Sequence, residues 1–405
     1  MVATLTRIFG THNLELAEDV VQDTLLQACR QWGFSGIPDN PSAWLFKVAK
    51  NKALDKIRRE KYTREYAADI SHLLKSEYTA SATLNELFLE NEIRDDQLRM
   101  MFACCHPAIA QEAQVALTLK TLCGFGVAEI AKAFLTTEET ISKRLYRAKE
   151  KLRELQNAFE IPEGALLDQR VGAVLSSVYL LFNEGYNSTQ HDSLIREDLI
   201  EEAIRLAFLL AEHPRTDRPE IHALLALMLF HASRSKGRID ENGEIILLAQ
   251  QDRSKWNRGM IKLALNHLDH SSEGETMTIY HLEAGIAYFH AMSPSYAETN
   301  WKGILESYNL LLAANPSPVI ALNRAIIFAE VNGPEAGMKT MQEISGKDEL
   351  EKFYLYHATI GDLYSRLGRN NDAKKSFEKA VSLTKSKKEI ALLRKKMEIG
   401  NSDSR

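Results

Sequence analysis

Apolar residues recur every three to four positions along most of this chain, which predicts an almost wholly helical protein. Ala17, Val20, Val21, Thr24, Leu25, Ala28 and Trp32 follow the i, i+3, i+4, i+7 rule of one helix face. Glu18, Asp19, Gln22 and Asp23 fall outside that stripe. The stretch GFSGIPDNP then breaks the helix. Asn40 predicts the cap of the next one, with Pro41 in its first turn, where a missing N–H costs nothing. In that helix, SAWLFKVAKNKALDKIRRE, the residues Trp44, Leu45, Val48 and Ala49 are predicted to face inward, leaving Lys47, Lys50, Lys56, Arg58 and Arg59 outside. Residues 63–94 are polar and irregular in pattern and read as a linker with some helical character. Residues 95–156 hold three or four short helices.

The last of these carry VAEIAKAFLTTEETISKRLYRAKEKL, a short helix, a turn and a longer helix. Ile130, Ala131 and Phe134 give the first an apolar face, and Ile141, Leu145 and Ala148 give one to the second. Thr136 with Glu139 is expected to form a capping box. This is helix-turn-helix grammar, in which the first helix braces and the second enters a major groove by its amino-terminal end. Thr140, Ser142, Lys143 and Arg144 are then candidates for base and phosphate contacts, and Arg147 and Lys151 suit backbone phosphates. Leu135 stands at the turn position where Gly is usual.

From residue 157 to 405 the pattern is a long helical array with a repeat signal. In HATIGDLYSRLGRNNDAKKSFEKAVSL, Gly361, Tyr364, Gly368, Ala373, Phe377 and Ala380 keep the spacing of a tetratricopeptide repeat, small residues where helices touch and aromatics in the next groove. Gly285, Tyr288, Trp301, Tyr308 and Pro316 read as a second copy with a longer turn, and ALNRAIIFAEVNGPEAGMKTM as a degenerate third.

Charge changes the picture locally. The 405 residues carry a net charge of -5, so general affinity for polyanions is not expected. Yet Lys47–Arg64 holds eight Lys/Arg against two acids, and Thr140–Arg153 holds six against one. Two basic helices in an acidic chain predict two contacts with one nucleic acid. Trp32, Phe34 and Trp44 beside the first can stack on exposed bases. The start, MVATLTRIFG, lacks a signal-peptide pattern, and no run approaches a membrane span, so the cytoplasm is the expected compartment.

Four cysteines without CxxC spacing predict neither a disulfide framework nor zinc. ACCHP, Ala103–Pro107, reads as helix packing. His222, His231, His267, His270, His281 and His290 read as core or groove residues. FNEGY is open between a buried cap and a carboxylate, Glu184, presented to a ligand. No phosphate-cradling loop and no nucleophile–base pair is present, so neither an enzyme nor a cofactor is expected.

AEDVVQDTLLQACRQW, PSAWLFKVAKNKALDKIRRE and the helix-turn-helix, in this order and spacing, resemble the extracytoplasmic-function (ECF) group of bacterial RNA polymerase sigma factors. YLLFNEGYNS, ALLALMLFHASR, QQDRSKW and NPSPVIALNRAI resemble a subgroup with a large helical, tetratricopeptide-like extension. The resemblance implies an all-α chain: sigma region 2 over 1–62, a linker over 63–94, region 4 over 95–156, and the extension over 157–405. LTRIFG would be a shortened first helix of region 2.

It further implies that Glu18, Asp19, Gln22 and Asp23 dock on a coiled coil of the largest polymerase subunit. The loop from Gly33 to Asn40 would receive a flipped base of the −10 element, and Asn51, Lys52, Lys56, Arg58 and Arg59 would follow the melted strand. Thr140, Ser142, Lys143, Arg144, Arg147 and Lys151 would read the −35 element. The extension would regulate in cis or bind a protein partner. A conventional helix-turn-helix regulator with a helical sensor domain is the competing expectation, and the basic, aromatic-rich helix around Trp44, which it does not need, separates the two.

Overall fold

The structure, a computed structural model, describes residues 1–60, 90–134, 136–155, 158–186, 195–241 and 243–402. The regular structure among these residues is helical, with one isolated antiparallel bridge between Ile239 and Ile245 and no strand. The chain forms two compact units, Met1–Leu180 and Leu181–Arg405.

In the first unit, α1 (Val2–Phe9), α2 (Leu14–Ser35) and α3 (Pro41–Glu60) share a core. Leu5, Ile8 and Phe9 pack against Ala17 and Val20 of α2 and Ala53 of α3. The stripe on α2 is narrower than its periodicity predicts. Ala17, Val20, Thr24 and Ala28 are buried, but Leu25 is 45% exposed. Asn40 caps α3 as predicted, its side-chain oxygen accepting from the Ala43 N–H at 2.9 Å.

Helices α4 (Glu90–Cys104) and α5 (Gln111–Thr121) follow. Arg7 of α1 pairs with Glu92 and Asp96 of α4, and Arg99 donates to Asp96 at 2.7 Å. Asp96 is fully buried, and desolvation pushes its carboxyl up against the opposing Arg99 hydrogen bond and Arg7 charge. An acid with a raised folded pKa holds its proton more tightly folded than unfolded. Its presence therefore lowers stability as pH rises from 3.8, the unfolded value, through the folded one. Relative to a non-titrating Asp96→Asn variant, the wild type is expected to lose stability as pH rises above 3.8, read by urea denaturation. A pH-independent difference would refute the assignment.

The ACCHP cysteines are packing residues. Cys104 Sγ lies 3.2 Å from Thr121 Oγ1 and Cys105 Sγ lies 3.8 Å from Thr118 Oγ1, joining α4 to α5, and burial pushes both thiols up. Helix α8 (Gly164–Tyr186) alone among the described residues is long and apolar enough to cross a bilayer, and half of its apolar stretch is buried within the protein.

In the second unit, α10 (Pro219–Ser233) is almost wholly buried and packs against α9 (Glu197–Ala211), α11 (Arg258–Ser271) and α12 (Ile279–Met292). From α12, each helix packs on the next: α13 (Trp301–Ala314), α14 (Pro318–Asn332), α15 (Pro334–Gln342), α16 (Tyr354–Arg366), α17 (Asn370–Leu383) and α18 (Lys387–Ser402). The predicted repeat signature falls on α16 and α17, where Ala373, Phe377 and Ala380 are buried. Gly361 permits the close crossing, since a Cβ there would meet the Phe377 ring at 2.6 Å. Gly361→Ala is expected to cost about 1–3 kcal/mol through this overpacking, read as a lower denaturation midpoint. An unchanged midpoint would show that Phe377 yields freely.

Candidate nucleic-acid interface

Helices α6 (Val127–Ala133) and α7 (Glu138–Glu154) both pack on α5 and on each other, burying Ile130 and Ala131 with Ile141, Leu145, Ala148 and Leu152. The α7 cap corrects the expectation by one residue. Thr137, not Thr136, is the N-cap, its hydroxyl oxygen accepting from the Thr140 N–H at 3.2 Å. Thr136 is held in the turn by its N–H to the Ala131 carbonyl, and Glu139 pairs with Lys143 at 2.6 Å instead of closing a box. Thr137→Ala is expected to destabilise α7 by about 1 kcal/mol, measurable as a shift in the thermal transition, whereas Thr136→Ala is not. Leu135 lies outside the described residues.

With the apolar stripe turned inward, Ser142, Lys143, Arg147 and Lys151 are exposed. Arg144 reaches Glu112 of α5 at 2.7 Å, Lys151 reaches Glu154 at 2.8 Å, and Thr140 is half-buried against Thr137. Arg147 forms no ion pair among the described residues. Exposed pairs of this kind are worth about 0–1 kcal/mol, so a phosphate can displace the carboxylate. The carboxy-terminal half of α7 is different. It lies against α2, where Lys149 and Glu18 pair at 2.8 Å with both side chains 12% exposed, and Arg153 reaches Glu15 at 3.2 Å.

Around the α2–α3 corner, Trp32 and Trp44 meet edge-to-face with centroids 5.3 Å apart. Phe34 is 96% exposed. The Asn40 oxygen is engaged in its cap, leaving the amide NH2 as its remaining donor. Asn51 is exposed on α3, and Lys52 and Lys56 are half-buried. Arg58 and Arg59 fall within α3, but their side chains lie outside the described residues.

Residues 1–63 match the family Sigma-70 region 2, and residues 99–152 match Sigma-70, region 4. A tetratricopeptide repeat matches residues 355–387, and a family of unknown function, DUF6596, matches residues 170–272. An uncharacterised protein of Rhizobium meliloti (strain 1021) is 35% identical over 397 residues, covering 98% of this chain and 92% of the relative. No solved structure matches. The chain belongs to the ECF sigma factors, with a helical extension behind the sigma domains.

Sigma factors are non-enzymatic initiation factors, and the two sigma domains of this one bind core RNA polymerase and promoter DNA for promoter-specific transcription. Of the residues expected to dock the polymerase, Asp19, Gln22 and Asp23 stand exposed on α2 in this sigma factor, while Glu18 is held by Lys149. Two exposed side chains were missed by the sequence pattern: Leu26, 56% exposed on α2, and Tyr146, 61% exposed on α7. Tyr146 falls off the Ile141–Leu145–Ala148 stripe, a signal that was present. Leu25, 45% exposed, gave none, because it continues the stripe of α2.

Proposed function

We propose that this sigma factor reads the −35 element with Thr140, Ser142, Lys143, Arg144, Arg147 and Lys151, and the melted −10 strand with Phe34, Asn51, Lys52 and Lys56, together with Trp32, Asn40, Trp44, Arg58 and Arg59. Asp19, Gln22, Asp23 and Glu18, with the exposed Leu25 and Leu26 among them, dock the polymerase. The protein works in the cytoplasm, where polymerase and promoter are, and the helical extension regulates it in cis or recruits a protein along its repeats. The single observation carrying this reading is that the basic face of α7 is exposed, with its cations held by exchangeable carboxylates.

Run-off transcription with purified core enzyme tests it, comparing the full chain with residues 1–186, which keep the first unit and α8 whole, over a genomic template library. Specific initiation by both, with different promoter strength or signal response, supports the reading. Absence of specific initiation from any template by the full chain refutes it. Equal behaviour of the two chains in every condition removes the regulatory role of the extension.

A further inference from the structure

Three stretches of the extension that the sigma function leaves unused meet at one place in the second unit. HASR ends α10 with His231 and Arg234, QQDRSKW supplies Arg253 and Trp256, and FNEGY supplies Tyr186. Arg234 and Arg253 flank the Trp256 indole, their guanidinium carbons 5.2 Å and 4.7 Å from its centroid. Arg238 lies 3.8 Å over the Tyr186 ring and donates to the Tyr186 carbonyl at 2.5 Å. Arg253 is anchored by donating to the carbonyls of His290 and Ser293.

The cluster has more donors than acceptors. Arg234 Nε, Arg253 Nη2, Trp256 Nε1 and Ser235 Oγ are buried and have no hydrogen-bond partner among the described residues, and the same holds for His231 Nδ1 and His290 Nδ1. Trp256 is only 2% exposed. Neither Arg234 nor Arg253 forms an ion pair among the described residues; the acid felt by Arg253 is Glu298, which Ser295 already engages. Burial first, then the neighbouring arginines, pushes His231 and His290 down to about 3, so both are neutral and cannot add charge. Two half-buried guanidiniums without an ion-pair partner, each with a buried nitrogen left unused, are suited to an oxyanion. A phosphate monoester, carrying about −1.5 to −2 at pH 7, matches two positive charges. The enclosure of Trp256 and Ser235 excludes a duplex backbone as the source of that phosphate.

We propose that Arg234, Ser235, Arg253 and Trp256 form a binding site for the phosphoryl group of a small phosphorylated molecule. Gly237 belongs to the cradle: a Cβ there would lie 2.9 Å from Trp256 Nε1, so glycine keeps the space beside the indole N–H free. The site stands whether or not the extension regulates initiation, and its test needs neither polymerase nor promoter.

Equilibrium dialysis of the full chain against radiolabelled inorganic phosphate, at ionic strength held constant with chloride, reads it directly. Saturable binding of one phosphate per chain is expected. Arg234→Gln should weaken it at least about tenfold. Trp256→Phe keeps an aromatic ring beside the guanidiniums while removing the N–H and part of the indole, and should weaken it at least about fivefold. Thermal unfolding in chloride establishes that each variant is folded, and if Arg234→Gln is not, Trp256→Phe decides. No saturable binding up to about 10 mM phosphate overturns the proposal, as does wild-type affinity in the folded variants.

Discussion

Replacing Lys143, Arg144 and Arg147 together by glutamine is expected to abolish promoter-specific run-off transcription while leaving core polymerase binding intact. The three side chains lie on the solvent face of α7, and their carboxylate partners, Glu139 and Glu112, are themselves exposed. Removing such pairs costs the fold about 0–1 kcal/mol each, so circular dichroism and the unfolding midpoint should hardly move. The loss to DNA is larger. Each cation that neutralises a phosphate contributes about 0.9 to the salt dependence of binding, and an arginine on a guanine edge contributes about 1–3 kcal/mol of discrimination. Together these predict at least about a hundredfold weaker promoter complex and a shallower slope of affinity against salt. Undiminished promoter use by the triple variant would remove α7 from the −35 role, whatever the rest of the chain does.

Lys149→Met is expected to destabilise the first unit by about 3 kcal/mol, although it deletes a charge from a basic helix. The reason is where its partner is left. Glu18 is 12% exposed in its side chain, and its Oε1 already lacks a hydrogen-bond partner among the described residues. Without Lys149 the whole carboxylate is stranded between α2 and α7. Glu18→Gln in the Lys149→Met background should recover most of the loss, because an amide costs far less to bury than an unpaired charge. Arg153→Ala provides the control: Glu15 is 59% exposed and water replaces the lost partner, so the cost should stay below about 1 kcal/mol. Urea denaturation of the wild type and these three variants closes the comparison. Similar small losses for Lys149→Met and Arg153→Ala would show that burial of the pair has no energetic weight.

The same pair bears on docking. If the polymerase takes Glu18, α2 and α7 must part there first, so Lys149→Met should alter core affinity in a way that Arg153→Ala does not. Asp19, Gln22 and Asp23 face solvent and carry no such linkage.

Much was legible from local pattern. The helices, the Asn40 cap, the inward stripes of α6 and α7, and the α16–α17 repeat all follow from rules acting over a few residues: 3.6-residue periodicity, capping, and glycine where helices cross. The exposure of Lys143 and Arg147 was legible for the same reason, since once Ile141, Leu145 and Ala148 turn inward the positions between them turn out. Position 137 rather than 136 as the cap was not, because the choice depends on which threonine N–H the preceding turn has already used.

Sequence alone thus determined the helical class, the order of the sigma segments and the solvent-facing cations Lys143 and Arg147 of α7, since each rests on neighbours in the chain. Only the tertiary structure decided that Leu25 is exposed, that Glu18 is held by a lysine 131 residues away, and that HASR, QQDRSKW and FNEGY converge on one group of unpaired donors. Those outcomes depend on which surface covers which, and on whether a charge finds a partner from a distant part of the chain. No local periodicity encodes either.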